Sequence, residues 1–228
     1  DEGGYFIVKG KEWVLDSIEN ILFNQPRIFK NKGHKNEICR CEFISKPGDG
    51  YLNSDQFIMT LLDNDQLNIF IGRDKLREVP LPFYLVFRAM GMATDKEITD
   101  NICFTEDELG KILKNKLQKC FLATYYGKGR KQINSLGAYT QVDALKMIAK
   151  SFANDQFIKT QLEDENNVKY VNEKILYIFD KYFLPHIGNA EQHRHEKLRF
   201  LALLIRKTFL VEMGILPSTS RDSLRNKS

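Results

Sequence analysis

The chain has 228 residues, 43% of them apolar and 28% charged, the balance of an ordinary globular protein with room for one large domain or two small ones. A formal charge of +4 and a pI of about 8.7 fall short of the bias of a dedicated nucleic-acid-binding domain. The longest apolar region, Phe200 to Val211, is broken by Arg206, Lys207 and Thr208, so no run approaches the roughly 18 residues of a membrane span, and no basic-then-apolar leader opens the chain.

Residues 5 to 71 read as β structure. Tyr5-Phe-Ile-Val8 and Trp13-Val-Leu15 are short runs around the turn signal Lys9-Gly-Lys11. Ile18 to Phe23 and Arg27 to Lys30 follow, separated by Asn24-Gln-Pro26. Glu37 to Ile44 alternates with period two, Lys46 to Gly50 is a loop, and Phe57 to Leu62 with Leu67 to Ile71 predicts a hairpin. Beyond residue 79 the period becomes helical. Leu81 to Met90 predicts a short apolar helix opened by Pro80 and Pro82 and stopped by Gly91. Thr94-Asp-Lys-Glu97 and Thr105-Glu-Asp-Glu108 are capping boxes, the first starting a helix through about Phe104. Residues 125 to 139 form a polar, Gly-rich loop. Further helices are predicted near 140 to 152, 171 to 184 and 195 to 213, the last with an apolar stripe at 198, 201, 204, 205 and 209. Strands followed by helices argue an α+β fold: an antiparallel β region, then a mainly helical part. Asp55-Gln-Phe-Ile58 recurs as Asp155-Gln-Phe-Ile158, but the flanks do not match and the recurrence reads as coincidence.

No catalytic constellation stands out. Cys39, Cys41, Cys103 and Cys120 are too sparse for a disulfide scaffold, which points to a reducing compartment. Cys39 and Cys41 would face one side of a strand, yet no further pair completes a zinc site, so they read as two small half-buried side chains. His193 and His195 would lie about 200° apart on a helix and cannot chelate together. Gly127-Lys-Gly-Arg130 lacks the spacing of a phosphate loop. Asp63, Asp65 and Glu163-Asp-Glu165 read as solvated surface.

Charge is uneven. From 111 to 150, nine bases face the single acid Asp143; from 151 to 180, six acids face three bases. A basic cluster beside Tyr125 and Tyr126 suits sequence-blind contact with a phosphate backbone, and a solubilising helix face fits it equally.

Three segments carry a resemblance. Gly3-Gly-Tyr-Phe-Ile-Val-Lys-Gly10 with Glu12-Trp-Val-Leu15, Pro80-Leu-Pro-Phe-Tyr-Leu-Val-Phe-Arg-Ala-Met-Gly91 with Asp95-Lys-Glu-Ile98, and Phe183-Leu-Pro-His-Ile-Gly188 with Lys197-Leu-Arg-Phe-Leu201 and Arg221-Asp222 follow one another in the order and spacing of a known family. In these segments the chain resembles the second-largest subunit of multisubunit DNA-directed RNA polymerases. The resemblance implies the region called the lobe, spanning residues 17–216, with 1–16 the trailing edge of the protrusion domain and 217–228 the return to it. Asp1 in place of Met, and the polar end from Arg221, then read as cuts through a longer chain. The chain departs from the family pattern after Ala144-Leu-Lys-Met-Ile148, where an expected Gly/Arg turn is missing, and at 125 to 139, which is longer.

The resemblance implies a wall of the DNA cleft with no catalytic residues and no cofactor of its own, the Mg²⁺ of the whole polymerase being bound elsewhere. Its implied partners are DNA, the largest and other polymerase subunits and initiation factors, with no membrane. Lys119, Lys128, Arg130, Lys131, Arg225 and Lys227 are the candidate DNA contacts. Arg88 is expected to be a packing ion partner, and Pro185 the breaker between two helices. The Asn/Lys-rich loops and Trp13 are nearest to versions from large cytoplasmic DNA viruses, which implies a viral factory or virion; otherwise the nucleus is implied. The competing reading is a free-standing α+β adaptor or RNA-binding protein.

Overall fold

Alternation in the stretch Glu37–Ser45 organises the largest sheet. In this strand, β5, Cys39, Cys41, Phe43 and Ser45 point one way and are buried. β5 lies between β4 (Arg27–Lys30) and β6 (Asp55–Leu62), with Phe43 opposite Phe57 and Cys41 opposite Met59. β6 continues into β7 (Leu67–Ile71), and β8 (Leu81–Pro82) closes an antiparallel five-stranded sheet of order β4-β5-β6-β7-β8. The β6–β7 turn works through Asp65, whose φ of 62° is tolerated by a short polar side chain, and Leu62 N–H donates to the Gln66 carbonyl at 2.9 Å. The computed structural model describes residues 5–14, 20–30, 36–48, 54–71, 79–92, 94–105, 107–126, 139–151, 168–219 and 225–226.

Among the described residues six α-helices follow: α1 (Phe83–Ala89), α2 (Asp95–Ile102), α3 (Glu108–Tyr126), α4 (Gln141–Ser151), α5 (Val168–Tyr182) and α6 (Arg194–Glu212). α6 packs on β4 and β5 and against α2; α1 packs on α4, and α4 on α5. The expected stripe Leu198, Leu201, Leu204, Ile205 and Phe209 is the buried face of α6. Burying a side chain of this kind stabilises by about 1.5–3 kcal/mol, so α6 is the principal cover of the sheet. The fold is α+β.

The chain divides into two units, Phe23–Ser218 and a smaller one of Asp1–Leu22 with Thr219–Ser228. In the smaller unit β1 (Tyr5–Val8) pairs with β2 (Lys11–Val14) across a two-residue loop, Lys9 and Gly10 both at positive φ (52° and 73°), the type I′ geometry that suits strand twist. Short strands β3 (Asn20–Ile21) and β9 (Arg225–Asn226) also pair there.

Three expectations require correction. Leu81 and Pro82 are not helical: the two prolines hold them extended, so they join the sheet beside β7 and helix starts at Phe83. Thr105 does not cap α3: Asp107 does, accepting from Gly110 N–H at 2.7 Å. A Cβ on Gly110 would sit 1.9 Å from the Thr105 carbonyl oxygen, so the chain turns too tightly there for any larger residue. Cys39 and Cys41 are fully buried, 1% and 0% exposed, because the inward face of β5 lies under α6.

Candidate nucleic-acid interface

The basic segment builds α3 and α4. On α3, Leu113, Leu117, Cys120 and Phe121 face inward, which turns Lys111 and Lys119 outward, about 12 Å apart along the axis. Lys116 is engaged elsewhere: its ammonium pairs with the Glu212 carboxylate, while Lys30 donates to the Glu212 carbonyl at 2.8 Å. On α4, Ala144, Leu145, Ile148 and Ala149 are buried, leaving Lys146 and Lys150 exposed at i, i+4. Thr140 and Asp143 form a reciprocal cap: Asp143 N–H donates to the Thr140 hydroxyl oxygen at 3.2 Å, and that hydroxyl donates to the carboxylate at 2.6 Å. The hydroxyl contact holds the Asp143 carboxyl below the ordinary carboxylate range. The one acid of the segment is therefore committed to a helix start.

Of the six candidate contacts, Lys119 is on the exposed face of α3. Arg225 is in β9, where only its backbone is described. Lys128, Arg130, Lys131 and Lys227 lie outside the described residues.

The third resemblance segment is an architectural junction between α5 and α6. α5 stops at Tyr182, Leu184 takes φ 49°, and Pro185 follows. Ser45 Oγ accepts from His186 N–H at 3.0 Å and lies 2.8 Å from His186 Nδ1. The direction of the Ser45–His186 side-chain hydrogen bond is set by the imidazole tautomer. Burial, with the Lys197 charge second, pushes the His186 pKa below its ordinary value. Its ring packs 5.0 Å from Phe43 and 5.2 Å from Phe200. At Gly188, φ is 152° and a Cβ would lie 2.3 Å from the His193 ring, so only glycine fits.

Lys197 is the residue that sequence reasoning missed. It is 0% exposed and donates to the Phe179 and Asp180 carbonyls at 3.2 and 2.6 Å, capping the end of α5. Burial holds its pKa down to about 8. Arg194 grips the Asp180 carboxylate with two bonds of 2.8 and 2.6 Å. Arg88, buried in α1, pairs with Asp95 and lies 5.1 Å from the Tyr84 ring centroid, a packing role as expected. Among the described residues no three His, Cys, Asp or Glu side chains converge on a metal-sized site.

The family described as RNA polymerase Rpb2, domain 2, matches residues 24–228. DNA-directed RNA polymerase II subunit 2 of Arabidopsis thaliana is 26% identical over 236 residues, covering 100% of this chain and 18% of the relative. DNA-directed RNA polymerase subunit Rpo2 of Saccharolobus solfataricus is 27% identical over 229 residues, covering 100% of this chain and 17% of the relative. DNA-directed RNA polymerase subunit 2 of Acanthamoeba polyphaga mimivirus is 25% identical over 214 residues, covering 91% of this chain and 16% of the relative. The chain thus spans under a fifth of the length of these relatives, and it belongs to the RNA polymerase Rpb2 domain 2 family.

Proposed function

We propose that this chain is the lobe of the second-largest subunit of a DNA-directed RNA polymerase, forming one wall of the DNA cleft and taking part in transcription without catalytic residues of its own. The observation that carries this reading is the family match over residues 24–228, joined to relatives that all bear second-subunit polymerase names. Residues 17–216 are the lobe proper, flanked by protrusion segments at 1–16 and 217–228. The nucleotidyl transfer of the whole enzyme, and its Mg²⁺, belong to residues outside this chain. Its partners are DNA, the largest and other polymerase subunits and initiation factors.

Lys111, Lys119, Lys146 and Lys150 supply solvent-facing charge on two helices, and Lys128, Arg130 and Lys131 lie in sequence between those helices. Such a surface attracts phosphates without reading bases. Binding of this chain to duplex DNA is expected in the non-specific range, a Kd of roughly 10⁻⁴ to 10⁻⁶ M. The test is a salt titration on Lys128→Ala/Arg130→Ala/Lys131→Ala beside Lys159→Ala/Lys169→Ala/Lys174→Ala. The first triple should flatten the slope of log K against log salt by about 0.9 per lost contact. An unchanged slope there, with flattening in the second triple, overturns the assignment of the DNA-facing surface.

A further inference from the structure

One lysine of the basic segment is held back from solvent. On α3, Lys116 lies about 60° around the helix from Lys119, at the border between the outward face and the buried Leu113, Leu117 and Cys120. Along the axis it falls between Lys111 and Lys119, about 7.5 Å from the first and about 4.5 Å from the second. Its ammonium pairs with the Glu212 carboxylate, the two side chains being 31% and 19% exposed. Glu212 closes α6, where the negative end of the helix dipole opposes a carboxylate, and the last turn of α6 brings no base of its own. The compensating charges come from other elements: Lys116 of α3 at the carboxylate, and Lys30 of β4 at the Glu212 carbonyl, 2.8 Å away. The Cys39 thiol of β5 lies in the field of all three charges, and the Cys120 thiol in the fields of Lys116, Glu212 and Asp65. Asp65, exposed on the β6–β7 turn, is therefore a second carboxylate of the same neighbourhood.

We propose that Lys116 is a latent phosphate contact of the α3 face and that Glu212 is the positioning residue that withholds it; the inference rests on the DNA reading above. A lysine paired inside the protein meets a phosphate only by giving up its carboxylate, so the lost pair offsets the new contact. A lysine standing in solvent, such as Lys119, gives up only water and salt. Removing the Glu212 charge converts Lys116 from the first kind to the second. Its four-carbon stem starts at the border of the outward face and is long enough to carry the head to the Lys119 side. The freed ammonium then fills the interval between Lys111 and Lys119 and adds one cation to that face. A long-range field predicts something different. Any carboxylate lost near the surface strengthens the attraction of DNA, whether or not Lys116 is present. The two accounts separate at Lys116 itself.

The test is a salt titration of the 228-residue chain and its variants against a labelled DNA duplex. Glu212→Gln should steepen the slope of log K against log salt by about 0.9, the value of one added phosphate contact. Lys116→Ala alone should leave the slope of the parent unchanged, and Glu212→Gln/Lys116→Ala should show no steepening. Asp65→Asn removes a neighbouring carboxylate that is not the partner of Lys116, at a positive φ that Asn tolerates, and should also leave the slope unchanged. A second readout needs no DNA. Limited acylation by an N-hydroxysuccinimide ester, resolved by peptide mass, should modify Lys116 more slowly than Lys119 in the parent. In Glu212→Gln the Lys116 rate should rise at least about threefold. The inference is overturned if the steepening persists without Lys116, if Asp65→Asn produces it equally, or if Lys116 acylates as fast as Lys119 in the parent. A parent chain without salt-dependent DNA binding overturns the DNA reading and this inference with it. A parent with the expected slope and an unresponsive Glu212→Gln variant overturns this inference alone.

Discussion

The junction between α5 and α6 and the outward face of α3 and α4 use charge in opposite ways. At the junction, Lys197, Arg194 and Asp180 are held out of water, each by bonds of 2.6 to 3.2 Å to fixed partners. On α3 and α4, Lys111, Lys119, Lys146 and Lys150 stand in solvent. A buried charge that loses its partner carries the full desolvation cost, whereas an exposed one exchanges partners with water and salt at almost none. The junction should therefore respond to mutation through stability, and the helix face through ionic strength.

The largest effect is expected at Lys197. Lys197→Ala removes a buried stem and leaves the Phe179 and Asp180 carbonyls without their cap, a loss of about 3 kcal/mol. Chemical denaturation should show a lower midpoint with DNA binding retained at low temperature. Gly188→Ala comes next, at about 2 kcal/mol, since its Cβ meets the His193 ring and its φ is one that L side chains rarely adopt. Relief by His193→Ala in the double variant would establish that the ring contact, beyond the backbone strain, is responsible.

The pH response sharpens the contrast further. His186 has a folded pKa below 6.5, so the unfolded chain takes up a proton that the folded chain refuses. Stability is then lost as pH falls from the unfolded value of about 6.5 toward the folded one. Thermal melts between pH 7 and pH 5 should fall in midpoint, and His186→Gln should flatten that part of the curve. Lys197 acts in another window: its folded pKa of about 8 lies below the unfolded 10.5, so its contribution grows more favourable as pH rises from 8 to 10.5. The smallest effect on stability is expected for Lys111→Ala/Lys119→Ala, within about 0.5 kcal/mol. If both lysines touch phosphates, the same variant flattens the DNA salt slope by about 1.8, at 0.9 per contact. A stability loss as large as that of Lys197→Ala would erase the distinction between the two regions.

Local signals were legible in the sequence, and non-local ones were not. Alternation in β5 to β7 and the α6 stripe are set by which residues face the core, and Thr94 accepts from Glu97 N–H as its capping box predicts. Asp107 escaped because two overlapping cap signals, Thr105 and Asp107, compete, and only the close backbone at Gly110 decides between them. Pro82 was legible as a helix opener, but its neighbour Leu81 joins a strand whose partner is Ile69. In the candidate interface, the outward turn of Lys119 goes with the inward period of Leu113, Leu117, Cys120 and Phe121, while the engagement of Lys116 depends on Glu212, 96 residues away. Lys197 reads as one more polar residue on a helix. Yet it falls within the arc of Leu198, Leu201, Leu204, Ile205 and Phe209, so the helical period turns it inward; what the period does not encode is its pair of carbonyl partners, Phe179 and Asp180.

The four cysteines have a consequence of a different kind. Cys39, Cys41, Cys103 and Cys120 are all buried and free, and burial pushes their thiols upward, Cys39 to about 11 and Cys41 and Cys120 to about 12. The thiolate is the nucleophile that attacks alkylating and disulfide reagents, so near neutral pH the native chain presents them with almost none of the reactive form. Cys39 and Cys41 sit under α6, Cys120 on the inner face of α3 and Cys103 at the end of α2, so the four thiols watch three helices. Labelling times for the four sulfurs, resolved by peptide mass, would form an internal clock that reads which helix lifts first, with no reporter added to the molecule.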